Sequence, residues 1–411
     1  MKLSFGKMFS VFAISLAFMG CGNGDGGGGG GGGGGNQPLQ NLQFGTPVTL
    51  PAGSVPAASK IVLVGDFNND QKLDFVVVND AIGVFLGNGD GTFGGILNAL
   101  SPLGTSPQAI DRGEFDSQNP LDIVTAASGS NAVELFFDGN PPDGQFASEG
   151  LFNVGNDPRG VVVADFNNDG IDDIAATNAG DDSMTIRFGN GDATFGTQTY
   201  ASGGALSAPR NLVAADFDGD GDIDVAVANF GADHVTLWSN SGSFGNLANL
   251  FPAANADTSL TLPTSPLTFG IITADFDEDG SPDLAVPNPG TKNLSVFINN
   301  GDGTFPPRID LPAGTDAFGA NSGDFNLDGN LDLVVVNTFG VNGVDGDFCV
   351  YLGDGDGGFA APKTFTAGMD AGQPNHPRSV AVGDFNGDDK PDLVFANSPG
   401  DSVSVILNTS N

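Results

Sequence analysis

The fold this sequence predicts is all-β: a seven-bladed β-propeller of four-stranded blades, closed by its own N-terminal strand. Three observations carry that expectation. A nine-residue acidic stretch recurs seven times, and each copy is followed by the same succession of short β-rich runs and turns. The strand missing from the last copy is found at the other end of the chain.

The acidic stretch is clearest at residues 216–224, DFDGDGDID. Carboxylates stand at its first, third, fifth and ninth positions (Asp216, Asp218, Asp220, Asp224), and Gly221 follows the fifth. Like charges this close repel unless a cation collects them. Calcium takes about six to eight oxygen ligands, and a glycine lets a loop turn tightly around it. An apolar run follows at 225–228, so the arrangement reads as strand, loop, strand rather than the helix-flanked loop of an EF-hand. The stretch begins at Asp66, Glu114, Asp165, Asp216, Asp275, Asp324 and Asp384, in steps of 48, 51, 51, 59, 49 and 60 residues. Such a period marks a repeat architecture.

Within each repeat an apolar run ends in the acidic loop, and a second run follows at once, as at 75–78, 174–176 and 333–336. A third follows a Gly/Asn/Asp turn, as at 84–86, 185–188 and 294–298. Then comes a glycine-rich turn closed by phenylalanine: GNGDGTF at 87–93, GNGDATF at 189–195 and NNGDGTF at 299–305. The fourth strand is expected to start at that phenylalanine. Four short runs separated by turns make one sheet. One such sheet leaves both faces and its edges open, and repetition around an axis covers them. The seventh repeat stops after its third run at 403–407. Residues 43–53 match 304–314 in register and supply the missing strand.

These repeats resemble the FG-GAP/VCBS family, which also builds the integrin α-subunit propeller; the resemblance spans about residues 40–407. It implies calcium between the first and second strands of a blade, with the seventh loop residue ligating through its backbone carbonyl. Carried over by position, the ligands are Asp165, Asn167, Asp169, Ile171 and Asp173 in blade three, and Asp216, Asp218, Asp220, Asp222 and Asp224 in blade four. Blade five offers Asp275, Asp277, Asp279, Ser281 and Asp283; blade six offers Asp324, Asn326, Asp328, Asn330 and Asp332. Blade one (Asp66, Asn68, Asp70, Lys72, Asp74) has Gln71 where glycine is usual. Blade seven (Asp384, Asn386, Asp388, Lys390, Asp392) has Asp389 there, so both are expected to bind more weakly. Blade two departs furthest, with Glu114, Asp116, Gln118, Pro120 and Asp122 and no glycine, and is expected to be empty or weak. Four to six structural calcium ions follow. The alternative for every loop is a metal-free turn held by side-chain hydrogen bonds.

The formal charge of −37 comes from 50 acidic and 13 basic residues, and 27 of the acids lie in the seven loops. That charge excludes a nucleic-acid binder, which needs a basic surface. Two cysteines so differently placed as Cys21 and Cys349 make no disulfide framework. Cys349, in an apolar run, reads as a small buried hydrophobe. Lys2 and Lys7 precede the apolar run 8–19 and then Gly20-Cys21, a secretory pattern too short to span a membrane. It resembles a bacterial lipoprotein signal, with Phe18 where leucine is usual, and implies lipid on Cys21; ordinary secretion is the alternative. Residues 22–35 are nearly all glycine, a flexible tether. The expected organisation is signal at 1–20, anchor and tether at 21–36, and propeller at 37–411. The location expected is the cell envelope, at the outer membrane or surface.

The two long steps of 59 and 60 contain insertions at 251–268, 338–347 and 366–377. Propeller topology sends all three to the face opposite the acidic loops, in one sector. Inserted loops on a rigid scaffold often carry binding, though drift in tolerant loops gives the same pattern. Trp238 reads as a stacking platform or as packing at a blade rim. Asp181, Asp182, Asp233, His234, Asp345, Asp347, Asp370 and His376 are the acids and bases outside the loops, and they form no catalytic motif. The expectation is a non-enzymatic, monomeric binding or adhesion module for an extracellular protein or glycan. The alternative is a carbohydrate-active enzyme, its accessory domain or a lectin.

Overall fold

The computed structural model describes residues 42–411 apart from 53–60, 80, 98, 101–103, 117–120, 139–142, 197–198, 202–205, 243–249, 252–255, 262–266, 340–345, 371–372 and 399–401. The signal, Cys21 and the glycine tether therefore lie outside the described residues. Seven four-stranded sheets follow one another along the chain. Blade three is typical: Pro158–Ala164, Asp173–Asn178, Ser183–Arg187 and Thr199–Ala201 pair antiparallel in that order.

The second strands show why a ring forms. Asp173–Asn178 and Asp224–Asn229 are buried at every position, and their small and β-branched residues serve both faces of the sheet. A strand covered on both sides reads as an unbroken apolar run rather than an alternation. The outer strand Phe146–Asn153, with one face in solvent, alternates instead. The apolar contacts form seven clusters, each straddling one interface between adjacent blades. The phenylalanine in second position of each acidic loop is fully or almost fully buried and packs into one of them: Phe67, Phe115, Phe166, Phe217, Phe276, Phe325 and Phe385.

Each first strand touches the first strands of both adjacent blades, from Ile61–Gly65 round to Pro377–Gly383 and back. The ring is thus closed around a central channel. Its last blade is completed by Val48–Pro51, which pairs with Ser402–Ile406 and sets Val48 opposite Val405. Gly45 N donates to Leu407 O at 2.8 Å and Thr409 N to Gln43 O at 2.9 Å, and Leu42 packs between blades six and seven.

Two sequence expectations need correction. The fourth strand does not generally begin at the phenylalanine of the glycine-rich turn. Phe93, Phe195 and Phe359 instead form isolated bridges back to Gly87, Gly189 and Gly353, and the strands start later, at Ala99, Thr199 and Lys363. The ring must first turn down into the blade interface, so the chain resumes pairing several residues on. Only in blade two does the strand start there, at Phe146. Second, 251–268 is not an insertion between blades: it contains Ala256–Thr261, the fourth strand of blade four.

The other two insertions do meet. Thr338 Oγ1 donates to Pro377 O at 3.2 Å, His376 Nδ1 lies 2.7 Å from Thr338 O, and Ala367 N donates to Gly346 O at 3.3 Å. Among the described residues, no helix is long and apolar enough to cross a membrane.

Deleting residues 42–52 would leave Ser402–Ile406 as an open, apolar edge, the kind that recruits another chain. The shortened protein is expected to melt lower and to self-associate, as read by thermal unfolding and size-exclusion chromatography; an unchanged monomer of unchanged stability would contradict this closure.

Candidate metal centre

The ninth loop residue is the first residue of each second strand, and its carboxylate has at most 1% exposure in every blade: Asp74, Asp122, Asp173, Asp224, Asp283, Asp332 and Asp392. Its Oδ2 accepts the backbone N–H of the loop phenylalanine at 2.7–3.0 Å in all seven. In six blades Oδ1 accepts a second N–H from just past the third strand: Gly87, Gly189, Asn240, Asn299, Gly353 or Asn408, at 2.7–2.9 Å. One carboxylate therefore clasps two turns of its blade.

The clasp is tied to the preceding blade as well. Asn240, Asn299 and Asn408 donate through Nδ2 to the loop carbonyls of Phe166, Phe217 and Phe325 at 2.8–2.9 Å. In blades three and one, the N–H groups of Ala193 and Gly91 do the same to Phe115 O and Phe385 O, both at 2.9 Å.

The remaining loop residues form a chain of side-chain turns. In the six loops other than that of blade two, the first carboxylate accepts the N–H of the sixth residue at 2.7–2.9 Å. The fifth accepts the N–H of the seventh at 2.8–3.2 Å. The sixth residue is left-handed, with φ of 83° at Gly170 and 91° at Gly221. A Cβ would meet nothing at those two glycines, so the demand there is conformational and not spatial. Gln71 and Asp389 hold the same conformation, at φ 67° and 64°, with a side chain attached.

The donor set suits a hard cation. Single ligand atoms of Asp216, Asp218 and Asp224 lie within 4.8 Å of one another, as do those of Asp275, Asp277 and Asp283, so both groups could hold a metal ion. Calcium–oxygen distances of about 2.3–2.6 Å accommodate that spread. The turn bonds do not compete, because each carboxylate oxygen has a second lone pair. Asp275 Oδ1 is buried and has no hydrogen-bond partner, an orphaned acceptor at the heart of the blade-five loop. Burial, opposed by the clasp bonds and aided by neighbouring carboxylates, pushes Asp74 up to about 6, Asp224 and Asp283 to about 7, and Asp173 and Asp332 to about 8. A bound cation would hold such groups ionised.

The loops are not equivalent. In blades one and seven the seventh residue is a lysine whose ammonium reaches back to the fifth carboxylate: Lys72 to Asp70 at 3.3 Å, Lys390 to Asp388 at 3.4 Å. Each thus carries an internal cation beside a proposed ligand. Blade two keeps the first clasp bond, from Phe115 N to Asp122, but Gln118 and Pro120 lie outside the described residues.

Elsewhere the candidates are mostly structural. Asp181 accepts from Asn156 N and Ser183 Oγ, Asp182 from Ala208 N, and Asp347 from Asn337 Nδ2. Asp345 lies outside the described residues, and only the backbone of Asp370 is described. Trp238 is fully buried between blades three and four, so it is packing and no platform. Cys349 is buried, as expected, and burial raises its thiol. The clasp itself is what sequence reasoning missed. Its trace was available: in blade two the first and fifth positions have drifted to Glu114 and Gln118, yet Asp122 stays.

Asp173→Ala orphans two buried N–H groups and is expected to cost about 3 kcal/mol or more in urea unfolding. Gln71→Gly relieves a left-handed side chain and is expected to stabilise by up to about 1 kcal/mol, net of the added chain entropy.

The comparisons agree with this geometry. A model of the FG-GAP-like repeat matches residues 115–176, 165–227, 216–286, 275–335 and 338–395. A streptogramin B lyase structure is similar at TM-score 0.58 and 11% identity, covering 91% of this chain and 100% of that one. Virginiamycin B lyase from Staphylococcus aureus gives 0.57 and 11%, covering 89% and 99%. An Agrocybe aegerita lectin gives 0.51 and 20%, covering 75% and 80%. At these identities the likeness is one of fold. No curated protein matches significantly. Five matched repeats spanning most of the ring place the chain in its family: it belongs to the FG-GAP-like repeat proteins.

Proposed function

We propose that this propeller is a calcium-stabilised, non-enzymatic binding module, displayed outside the cell on a lipid at Cys21 and a glycine tether, for a protein or glycan of the surroundings. The observation that carries the calcium part is the pair of three-aspartate groups in blades four and five, with the orphaned Asp275 Oδ1 in one of them. Asp165, Asn167, Asp169, the carbonyl of Ile171 and Asp173 would serve in blade three, and Asp324, Asn326, Asp328, the carbonyl of Asn330 and Asp332 in blade six. The ion's part is to offset repulsion among carboxylates that the clasp already holds in place. The non-enzymatic part is supported by the acids outside the loops, several of which are engaged in structural hydrogen bonds. A structural relative that recognises terminal N-acetylglucosamine lends support to a glycan ligand. The lyases, which match over almost their whole length, lend support to the second reading, a carbohydrate-active enzyme or its accessory domain.

At calcium tenfold above its Kd, each filled site adds about 1.4 kcal/mol. Four sites together would raise the melting temperature by on the order of 10 °C. A chelator is expected to remove that increment, and native mass spectrometry of the loaded protein to count four to six ions. No bound metal and no shift would overturn the calcium reading. Turnover of a glycan library by the purified protein would overturn the non-enzymatic one.

A further inference from the structure

Seven residues stand fourteen positions before the seven clasp aspartates: Lys60, Gln108, Arg159, Arg210, Phe269, Phe318 and Arg378. In a chain with 13 basic residues among 411, seven positions would hold fewer than one by composition. They hold four, and none of the 50 acids. Lys60 lies outside the described residues. In blades two, three, four, six and seven the pairing of first and second strands shifts register at this place. A bulge of that kind bends the strand and re-aims its side chain. First strands line the inside of the ring and run toward the aspartate loops, so their bulges encircle the other end of the central channel.

There the side chains form a continuous arc. Arg159 donates to Gln108 Oε1 at 3.0 Å. Its charge, after burial, helps to lower the pKa of Arg210. The Arg210 guanidinium lies over Phe230 at 4.7 Å and Phe269 at 5.4 Å; Phe269 packs on Phe318 at 4.7 Å, and Arg378 lies over Phe318 at 5.0 Å.

Arg159 is answered by Asp157 at 2.9 Å. Asp157 acts on Arg210 from a distance, but among the described residues no carboxylate forms an ion pair with Arg210 or Arg378, and Arg210 Nε is buried without a hydrogen-bond partner. Stacking on phenyl faces offsets part of a guanidinium's desolvation but satisfies none of its N–H donors. Those donors form a fork that fits a carboxylate. The protein's net charge of −37 repels free anions, so an occupant must be held by contact, and the contacts beside the fork are ring faces.

We propose that this end of the channel binds an organic carboxylate carried on a ring, its carboxylate drawn by the guanidinium groups of Arg210 and Arg378 and its ring against the half-buried edges of Phe269 and Phe318. A sugar acid and an aromatic acid share that chemistry. The proposal deepens the binding-module reading but does not depend on calcium.

The test is calorimetric titration of the calcium-loaded protein with glucuronate, benzoate and sulfate. Saturable binding of glucuronate or of benzoate, with sulfate much weaker, is expected, and the stronger of the two acids identifies the source. Arg378→Gln, at an exposed position, should weaken binding at least tenfold with an unchanged melting temperature, and Arg210→Gln should do so at least as strongly. Binding of neither acid, equal binding of sulfate, or variants that bind like the parent would each overturn it. Because the metal is present throughout, such a failure leaves the chelation result untouched.

Discussion

A carboxylate with almost no exposed surface is costly to bury, and this ring buries one in every blade. The cost is offset locally. Each of these aspartates stands at the start of a second strand, where it accepts the loop phenylalanine's N–H and, in six blades, another N–H from beyond the third strand. The phenylalanine so positioned fills an interface between blades, and its carbonyl accepts a bond from the next blade at five junctions. One interaction thereby fixes a turn, a core side chain and a contact between blades. Hydrogen bonds to an ionised acceptor are stronger than neutral ones, so the arrangement also stabilises each blade.

That clasp gives the ninth loop residue a second role, which a list of ligands does not show. In blades four and five the first and third loop residues could hold an ion together with the ninth; the ninth alone also faces inward and holds the blade. The degenerate loop of blade two illustrates that second role, since its other ligand positions have changed while Asp122 and the bond from Phe115 persist. Blades one and seven lie between, with lysine ammonium groups at 3.3 and 3.4 Å from Asp70 and Asp388.

Much of this was legible in the chain. The period, the four runs per repeat and the N-terminal strand that completes the last blade all follow from residues close together in sequence, and the structure bears them out. What escaped depends on pairing across strands. The register shifts at Arg159, Arg210 and Arg378 arise between two strands, and the proline that precedes each of these residues does not by itself reveal them. The fourth strand of blade four was hidden because its turn is longer than its siblings', so 256–261 read as part of an insertion. The clasp was hidden in plain view, because a buried acceptor and a metal ligand are the same residue type at the same place.

The claim that the aspartate clasp, and not an ion, holds each loop to its blade is tested most directly by amide hydrogen exchange with and without chelator. The account predicts that the N–H groups of Phe217, Phe276, Asn240 and Asn299 remain protected after calcium is removed, while those of Gly221 and Gly280 exchange faster. If all of them lost protection together, the ion would be the organising element and the clasp its consequence.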